Sequence, residues 1–167
     1  MRFFAFHSRH RIVLALILLL LSIPAWATDW QEDRATLKGV DSFAVVVEAV
    51  VPDAGRGGLT QSQLTTDIDS RLRQEGISVN PASPFMLHVV VSTVQSDSGH
   101  YAYNVTVTFR QAIMLMRDPK ISQAFAPTWS VTSIGIVSAA RLPDVRPVVI
   151  DAVDWFIKAY LEQNPKR

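Results

Sequence analysis

The stretch FMLHVVVSTVQSDSGHYAYNVTVTFRQAIMLM, Phe85 to Met116, decides the fold. In its second half Tyr101, Tyr103, Val105, Val107 and Phe109 alternate with Ala102, Asn104, Thr106, Thr108 and Arg110. A period of two marks a strand with one apolar and one polar face. In its first half Leu87, Val89 and Val91 alternate with His88, Val90 and Ser92. Between them Asp97-Ser98-Gly99 reads as a tight turn. A three-residue loop with its glycine in the left-handed region is a common hairpin connection. It pairs Ser96 with His100, Val91 with Val105, Val89 with Val107 and Leu87 with Phe109. A two-residue loop would set His88 against Phe109 and Leu87 against Arg110, and a slip of one residue exchanges the faces. The three-residue loop gathers every large apolar side chain on one face. The other face then carries His88, Ser92, Asn104, Thr106, Thr108 and Arg110.

Upstream, Ser42 to Val51 reads as a strand that is apolar on both faces, which suits the interior of a sheet. Pro52 ends it, and Asp53-Ala54-Gly55-Arg56-Gly57-Gly58 reads as a flexible connection. Its glycines lack the lysine and hydroxyl of a phosphate loop. Thr60-Gln61-Ser62-Gln63 is a capping box that starts a helix, with Leu59 and Leu64 placed as a hydrophobic staple. Leu64, Ile68 and Leu72 form its buried stripe. Gly76 supplies a left-handed stop, after which Ile77 can pack back on Leu72. Asp67 and Asp69 lie on the outer faces in this reading, with Asp67-Arg71 a solvated pair. A short strand is expected over Ile77 to Val79.

Downstream, both faces turn apolar over Ala112 to Met116, so Met114 and Met116 are expected in the core, with a methionine-lined contact surface as the alternative, and a turn follows at Asp118-Pro119. Phe125 to Val137 contains a further strand. Trp129 and Val131 face one way, and Thr128, Ser130 and Thr132 lie beside Thr106 and Thr108. Gly135 marks a bulge or a close approach. The last helix runs from about Val145 to Gln163 with Asp144 as N-cap and a wide apolar stripe that includes Val149, Val153, Phe156 and Tyr160. The order β-α-β-β-β-β-α predicts an α/β (α+β) fold. It is a two-layer sandwich, a mixed and mostly antiparallel sheet of about five strands with two helices on one face. Nothing of comparable size remains for the second face.

At the N-terminus Arg2, Arg9 and Arg11 precede the apolar run Ile12 to Leu21, and Ala25 and Ala27 form a small-x-small site. This is the pattern of a signal peptide over residues 1–27, cleaved after Ala27, with periplasmic or secreted localisation. Its uninterrupted core is shorter than the about 20 apolar residues of a membrane span. The rival reading is an uncleaved anchor, and only through it would the chain meet a membrane. Cleavage leaves 140 of the 167 residues, an arm over 28–36 that includes Trp30, and a single domain over 37–164. Losing three arginines leaves 13 basic residues against 15 acidic ones, a net charge of −2. No basic stripe for nucleic acid remains. The chain has no cysteine, which removes thiol catalysis, cysteine metal ligands and a lipid anchor on cysteine. Asn104-Val105-Thr106 fits the glycosylation pattern but falls within a strand.

The strand Ala44-Val45-Val46-Val47-Glu48 and the capped helix ending Leu72-Arg73-Gln74-Glu75-Gly76-Ile77 are followed by long strands and a closing amphipathic helix. This order resembles small exported bacterial α/β domains of the TolB amino-terminal, curli-secretion and penicillin-binding-protein-activator type. The resemblance implies a non-catalytic periplasmic module that docks onto a partner. It carries over no functional residue.

Chemistry is sparse. Asp97, Ser98 and His100 hold the groups of a catalytic triad but crowd one turn, with no nucleophile elbow. There are no paired carboxylates, no metal-ligand cluster and no cofactor fingerprint. The expected function is a non-catalytic binding or assembly module for components of a Gram-negative envelope. Its binding residues are His88, Asn104, Thr106, Thr108 and Arg110, on the open sheet face. The partner is an envelope protein or a second copy of the chain. The alternative is a small periplasmic hydrolase using His88 or His100. It requires a hydroxyl or carboxylate within about 3 Å of the imidazole, and a concave pocket.

Overall fold

A computed structural model describes residues 31–118 and 124–165. The expected signal segment with its expected cleavage after Ala27, Trp30, and Pro119 of the expected turn lie outside the described residues.

The hairpin forms in the expected register. Strand β2 (Met86–Gln95) pairs antiparallel with β3 (His100–Ile113), with Leu87 opposite Phe109, Val89 opposite Val107 and Val91 opposite Val105. Ser96 N–H donates to His100 O at 2.8 Å, and Gly99 N–H donates to Ser96 O at 3.0 Å. Gly99 has φ +77°, which a residue with a Cβ rarely adopts. Strand β4 (Ala124–Ser138) pairs antiparallel on the far side of β3, and β1 (Ala44–Val47) pairs parallel with β2. The order across the sheet is β1-β2-β3-β4.

Three sequence expectations about the sheet need correction. It has four strands, because Ile77 to Val79 contributes only one isolated parallel bridge, Val79 to Phe43. The first strand is four residues long and forms an edge, where ten interior residues were expected. Gln61 Nε2 donates to Val47 O at 2.7 Å on the side away from β2, while Glu48 N–H still donates to Val89 O at 2.9 Å, so a side chain covers part of the free edge. Met114 and Met116 are 63% and 97% exposed, so they lie outside the core. Full burial along β3 stops at Phe109, and in the apolar run beyond it Ile113 and Leu115 are only partly buried.

The helices include two beyond expectation. α1 (Gln31–Ala35) falls in the expected loose arm, yet Arg34 pairs with Glu162 and the following Leu37 is fully buried. α2 (Pro52–Arg56) occupies the expected flexible connection. Proline stands in its first turn, where a missing N–H costs little, and Arg56 pairs with Asp53. α3 (Gln61–Gln74) starts at Thr60, whose Oγ1 accepts from Gln63 N–H at 3.4 Å. The box is only half made, since the Gln63 side chain accepts from the Thr60 hydroxyl and does not reach back to the backbone. At the other end Ile77 N–H donates to Leu72 O and Gly76 N–H to Arg73 O, the two bonds of a Schellman ending.

α4 (Val145–Gln163) has the predicted bounds but a different start. A 3₁₀ turn, Ala139–Asp144, leads straight into it, so Asp144 is helical and caps nothing with its side chain. Its carboxylate accepts from Arg141 Nε at 2.7 Å instead. Asp67 is not on a solvated outer face. It receives two bonds from Arg146, Nε at 2.8 Å and Nη2 at 2.9 Å, while Arg71 Nε donates to Asp154 at 2.7 Å. These two pairs link α3 to α4. At half-exposed positions each contributes about 0.2–1 kcal/mol.

Both long helices lie on one face of the sheet. Between the layers Phe43, Phe109 and Phe156 form an aromatic core, with ring centroids 5.2–5.7 Å apart and Trp129 at 5.4 Å from Phe156. Leu64, Ile68 and Leu72 of α3 and Val149, Val153 and Phe156 of α4 are fully buried there. Burial of each large side chain contributes about 1.5–3 kcal/mol. The result is the expected two-layer α+β sandwich.

Candidate binding face

The alternation that buries one face of β2 and β3 puts His88, Asn104, Thr106, Thr108 and Arg110 together on the other. His88 stands opposite Thr108, Val90 opposite Thr106, and Ser92 opposite Asn104. On the β4 side Thr106 meets Thr132, Thr108 meets Ser130, and Asn104 meets Ile134. No described helix covers these rows.

Bonds within the face set the side-chain positions. Thr106 Oγ1 donates to Asn104 Oδ1 at 2.8 Å and lies 3.4 Å from Thr132 Oγ1. Thr108 Oγ1 reaches only 3.5 Å from His88 O, the limit of a hydrogen bond. His88 Nε2 is 2.9 Å from Glu48 Oε1, a carboxylate on the stretch that follows β1. Parallel pairing explains the contact. Val46 stands opposite His88, so Glu48, two residues on, shares its face.

Arg110 is the least satisfied group. Its guanidinium carbon lies 5.5 Å from the centroid of the Phe125 ring, a cation–π arrangement. Its Nε is buried and has no hydrogen-bond partner. Phe125 reaches Arg110 through an irregularity in β4. Phe109 stands opposite Trp129 but Arg110 stands opposite Pro127, so Thr128 is an extra residue. A bulge of one residue reverses the alternation beyond it. Phe125 and Pro127 therefore join the open face, although Trp129 and Val131 point to the core.

The same bulge corrects the sequence expectation that Thr128 shares a face with Ser130 and Thr132. Its Oγ1 accepts from Gln111 Nε2 at 2.8 Å, and its carbonyl accepts from Thr36 Oγ1 at 3.3 Å. Pro127 inside an otherwise regular strand was the sequence signal for this bulge. Gly135 marks the other expected feature, a close approach. A Cβ there would lie 2.3 Å from the Tyr103 hydroxyl oxygen, so the tyrosine side chain occupies the glycine's space.

Sequence reasoning also missed the apolar end of the face. Val94, Ile134 and Ile136 are 70–76% exposed, in two adjoining rows. Ala102 lies between Val94 and Ile136. Extending the Ser130–Thr132 alternation by four residues would have found both isoleucines.

His100 Nδ1 lies 3.2 Å from Ser98 Oγ on the exposed hairpin turn. His88 meets the carboxylate criterion through Glu48. Two shallow concavities lie elsewhere, one along α3 at Asp69, Ser70 and Arg73 and one at Asp67, Pro143 and Arg146. Neither includes His88 or His100. Among the described residues there is no group of three or more potential metal ligands, and no helix is long and apolar enough to cross a membrane.

No protein-family model matches the chain, and no curated protein does. Among solved structures, a minor lipoprotein from Acinetobacter baumannii is similar over 74% of this chain and 93% of that chain, with 13% identity and a TM-score of 0.37. A likeness at that level carries no argument about what this chain does.

Proposed function

We propose that the chain is an exported, non-catalytic binding or assembly module of the bacterial envelope, and that its open sheet face is the surface that meets the partner. One observation carries this reading. Arg110 stands on that face with its Nε buried and unpaired, stacked on Phe125, in a row that continues into hydroxyl and amide side chains. A buried donor without an acceptor is costly in the free protein. A partner carboxylate or carbonyl would bond the outer N–H groups of the same guanidinium, which are not buried with Nε, and the hydroxyls of Thr106, Thr108 and Ser130 would bond its polar backbone.

Export rests on the basic, apolar and small-x-small order of the first 27 residues. The envelope assignment adds to it the resemblance in element order to small periplasmic α/β domains. The non-catalytic reading is supported by where the two concavities lie. His88 has a carboxylate neighbour in Glu48 and His100 a hydroxyl neighbour in Ser98, but neither concavity takes in either imidazole.

Photocrosslinking in living cells tests the reading. A photoreactive residue replacing Thr106 should give an adduct of defined mass, and the same residue at Lys158 on the helical side should not. Arg110→Ala should lower the adduct at least several-fold with unchanged circular dichroism. Equal labelling from both positions, or no adduct from Thr106, would remove the reading. Mass spectrometry of the exported chain should find its N-terminus at Thr28.

A further inference from the structure

The sheet has two edges, and they are built differently. β1 offers four residues, and Glu48 and then Pro52 follow it closely. Short length, nearby charge and proline are the devices by which proteins keep a sheet edge from pairing with another chain. β4 offers fifteen residues. From Ala124 to Ala140 there is no Asp, Glu, Lys or Arg. Between Ser130 and Ser138 its backbone pairs with β3 alone among the described residues. Pro127 and the bulge guard only the first part of this edge, which leaves Val131 to Ser138 as a regular, uncharged strand rich in β-branched residues. The most exposed isoleucines among the described residues, Ile134 and Ile136, stand on that same stretch.

We propose that this edge pairs antiparallel with the same edge of a second copy, about a two-fold axis at Gly135, and makes one eight-stranded sheet. The stretch is self-complementary in that register. Ile134 stands opposite Ile136 of the second copy, and Ile136 opposite its Ile134, so four isoleucines gather around the axis. Thr132 stands opposite Ser138 of the second copy, so hydroxyl pairs flank them. The glycine at the axis adds no Cβ on the helical side, where Tyr103 already fills its space. Registers centred one residue away would set an isoleucine against a threonine or a serine. A strand without charge brings no like-charge repulsion to a two-fold contact, and it gives a partner of opposite charge nothing to recognise. An isologous contact of this kind closes at two copies and does not propagate, because the guarded β1 edge stays outside it. The proposal concerns the edge and does not depend on what the open face binds.

The chain has no cysteine, so an introduced thiol reports one position. The test uses chain exported from its full-length sequence, with Ile134→Cys and Ile136→Cys made separately. In the proposed register residue 134 lies opposite residue 136 of the second copy, within disulfide reach, whereas 134 to 134 is a diagonal of roughly 8 Å. Mild oxidation of the two variants mixed should give about tenfold more covalent dimer than either alone, because Cα separations beyond about 7 Å do not bridge. The unaltered chain should sediment at twice its monomer mass at roughly 100 μM, where a micromolar dimer is nearly complete. The double variant Ile134→Lys, Ile136→Lys should halve that mass while keeping its circular dichroism. A monomeric unaltered chain at that concentration overturns the proposal, including the case in which an extended peptide of another protein takes this edge. Equal cross-linking from the mixture and from the single variants overturns the register.

Discussion

Residues 106 and 107 are neighbours in the chain and stand on opposite faces of the same strand. Val107 is fully buried under the helices, among Val89, Phe109 and the aromatic rings. Thr106 lies on the face the helices leave open, bonded to Asn104 and beside Thr132. The two faces share every backbone hydrogen bond of the sheet, so they differ only in what the side chains meet. The covered face carries the stability of the fold, and the open face is free to vary. That asymmetry separates an uncovered surface, the one proposed to bind, from a core, and substitutions on the two sides should break it in opposite ways.

The largest effect should come from the centre of the covered face. Phe156 contacts Phe43, Phe109, Trp129 and Tyr160, with centroids 5.2–5.9 Å away. Phe156→Ala removes a ring that four neighbours share, and should cost about 3–5 kcal/mol in denaturant unfolding. A loss below 1 kcal/mol would mean that the helical layer does not depend on this ring. Next, Val107→Thr keeps the shape but buries a hydroxyl among apolar side chains. It should cost about 1–3 kcal/mol by the same measurement.

Tyr160 gives the covered face its pH dependence. Its hydroxyl donates to Val40 O at 2.6 Å in a buried position. Burial, and after it the Asp41 carboxylate, raises the phenol above its ordinary value. The unfolded chain therefore ionises first. The tyrosine's contribution is complete below about pH 10 and is lost as pH rises from there through the folded value. Tyr160→Phe should lose about 1–3 kcal/mol at neutral pH, because the Val40 carbonyl is left without its partner. It should also flatten the fall in stability above pH 10, so the two unfolding curves converge in alkali.

The contrast between faces was legible in the sequence to an uneven degree. Period two in Leu87–Val91 and Tyr101–Phe109, with the Gly99 turn, gave the register of the hairpin and placed the five candidate face residues together. Apolar stripes gave both long helices, and a cap gave the start of α3. What stayed hidden depends on tertiary geometry. The edge position of β1 was masked by apolar residues on both sides, since Val46 is exposed on the open face yet reads in sequence like an interior residue. Asp67 looked solvated because the arginine that binds it lies 79 residues away. Phe125 was assigned no partner because one extra residue, Thr128, reverses the faces of β4, and Pro127 was the only local sign of it. Ile134 and Ile136 were in plain view by alternation. An isoleucine invites a core reading, whereas here the pleat turns both outward.

The smallest expected effect is the sharpest probe of the asymmetry. Thr106→Val exchanges a hydroxyl for a methyl, the inverse of Val107→Thr one residue away. Both side chains are β-branched, so strand propensity hardly changes. The lost bonds reach Asn104 and Thr132, which stand on the uncovered face and can bond water instead. The expected change in unfolding free energy is within about 0.5 kcal/mol. If the open face binds a partner through its hydroxyls, the same variant should lose adduct in cells at a photoreactive Thr108 position while its stability stays level. A destabilisation as large as that of Val107→Thr would show that the second face is covered too, and that the asymmetry between the faces does not hold in the folded protein.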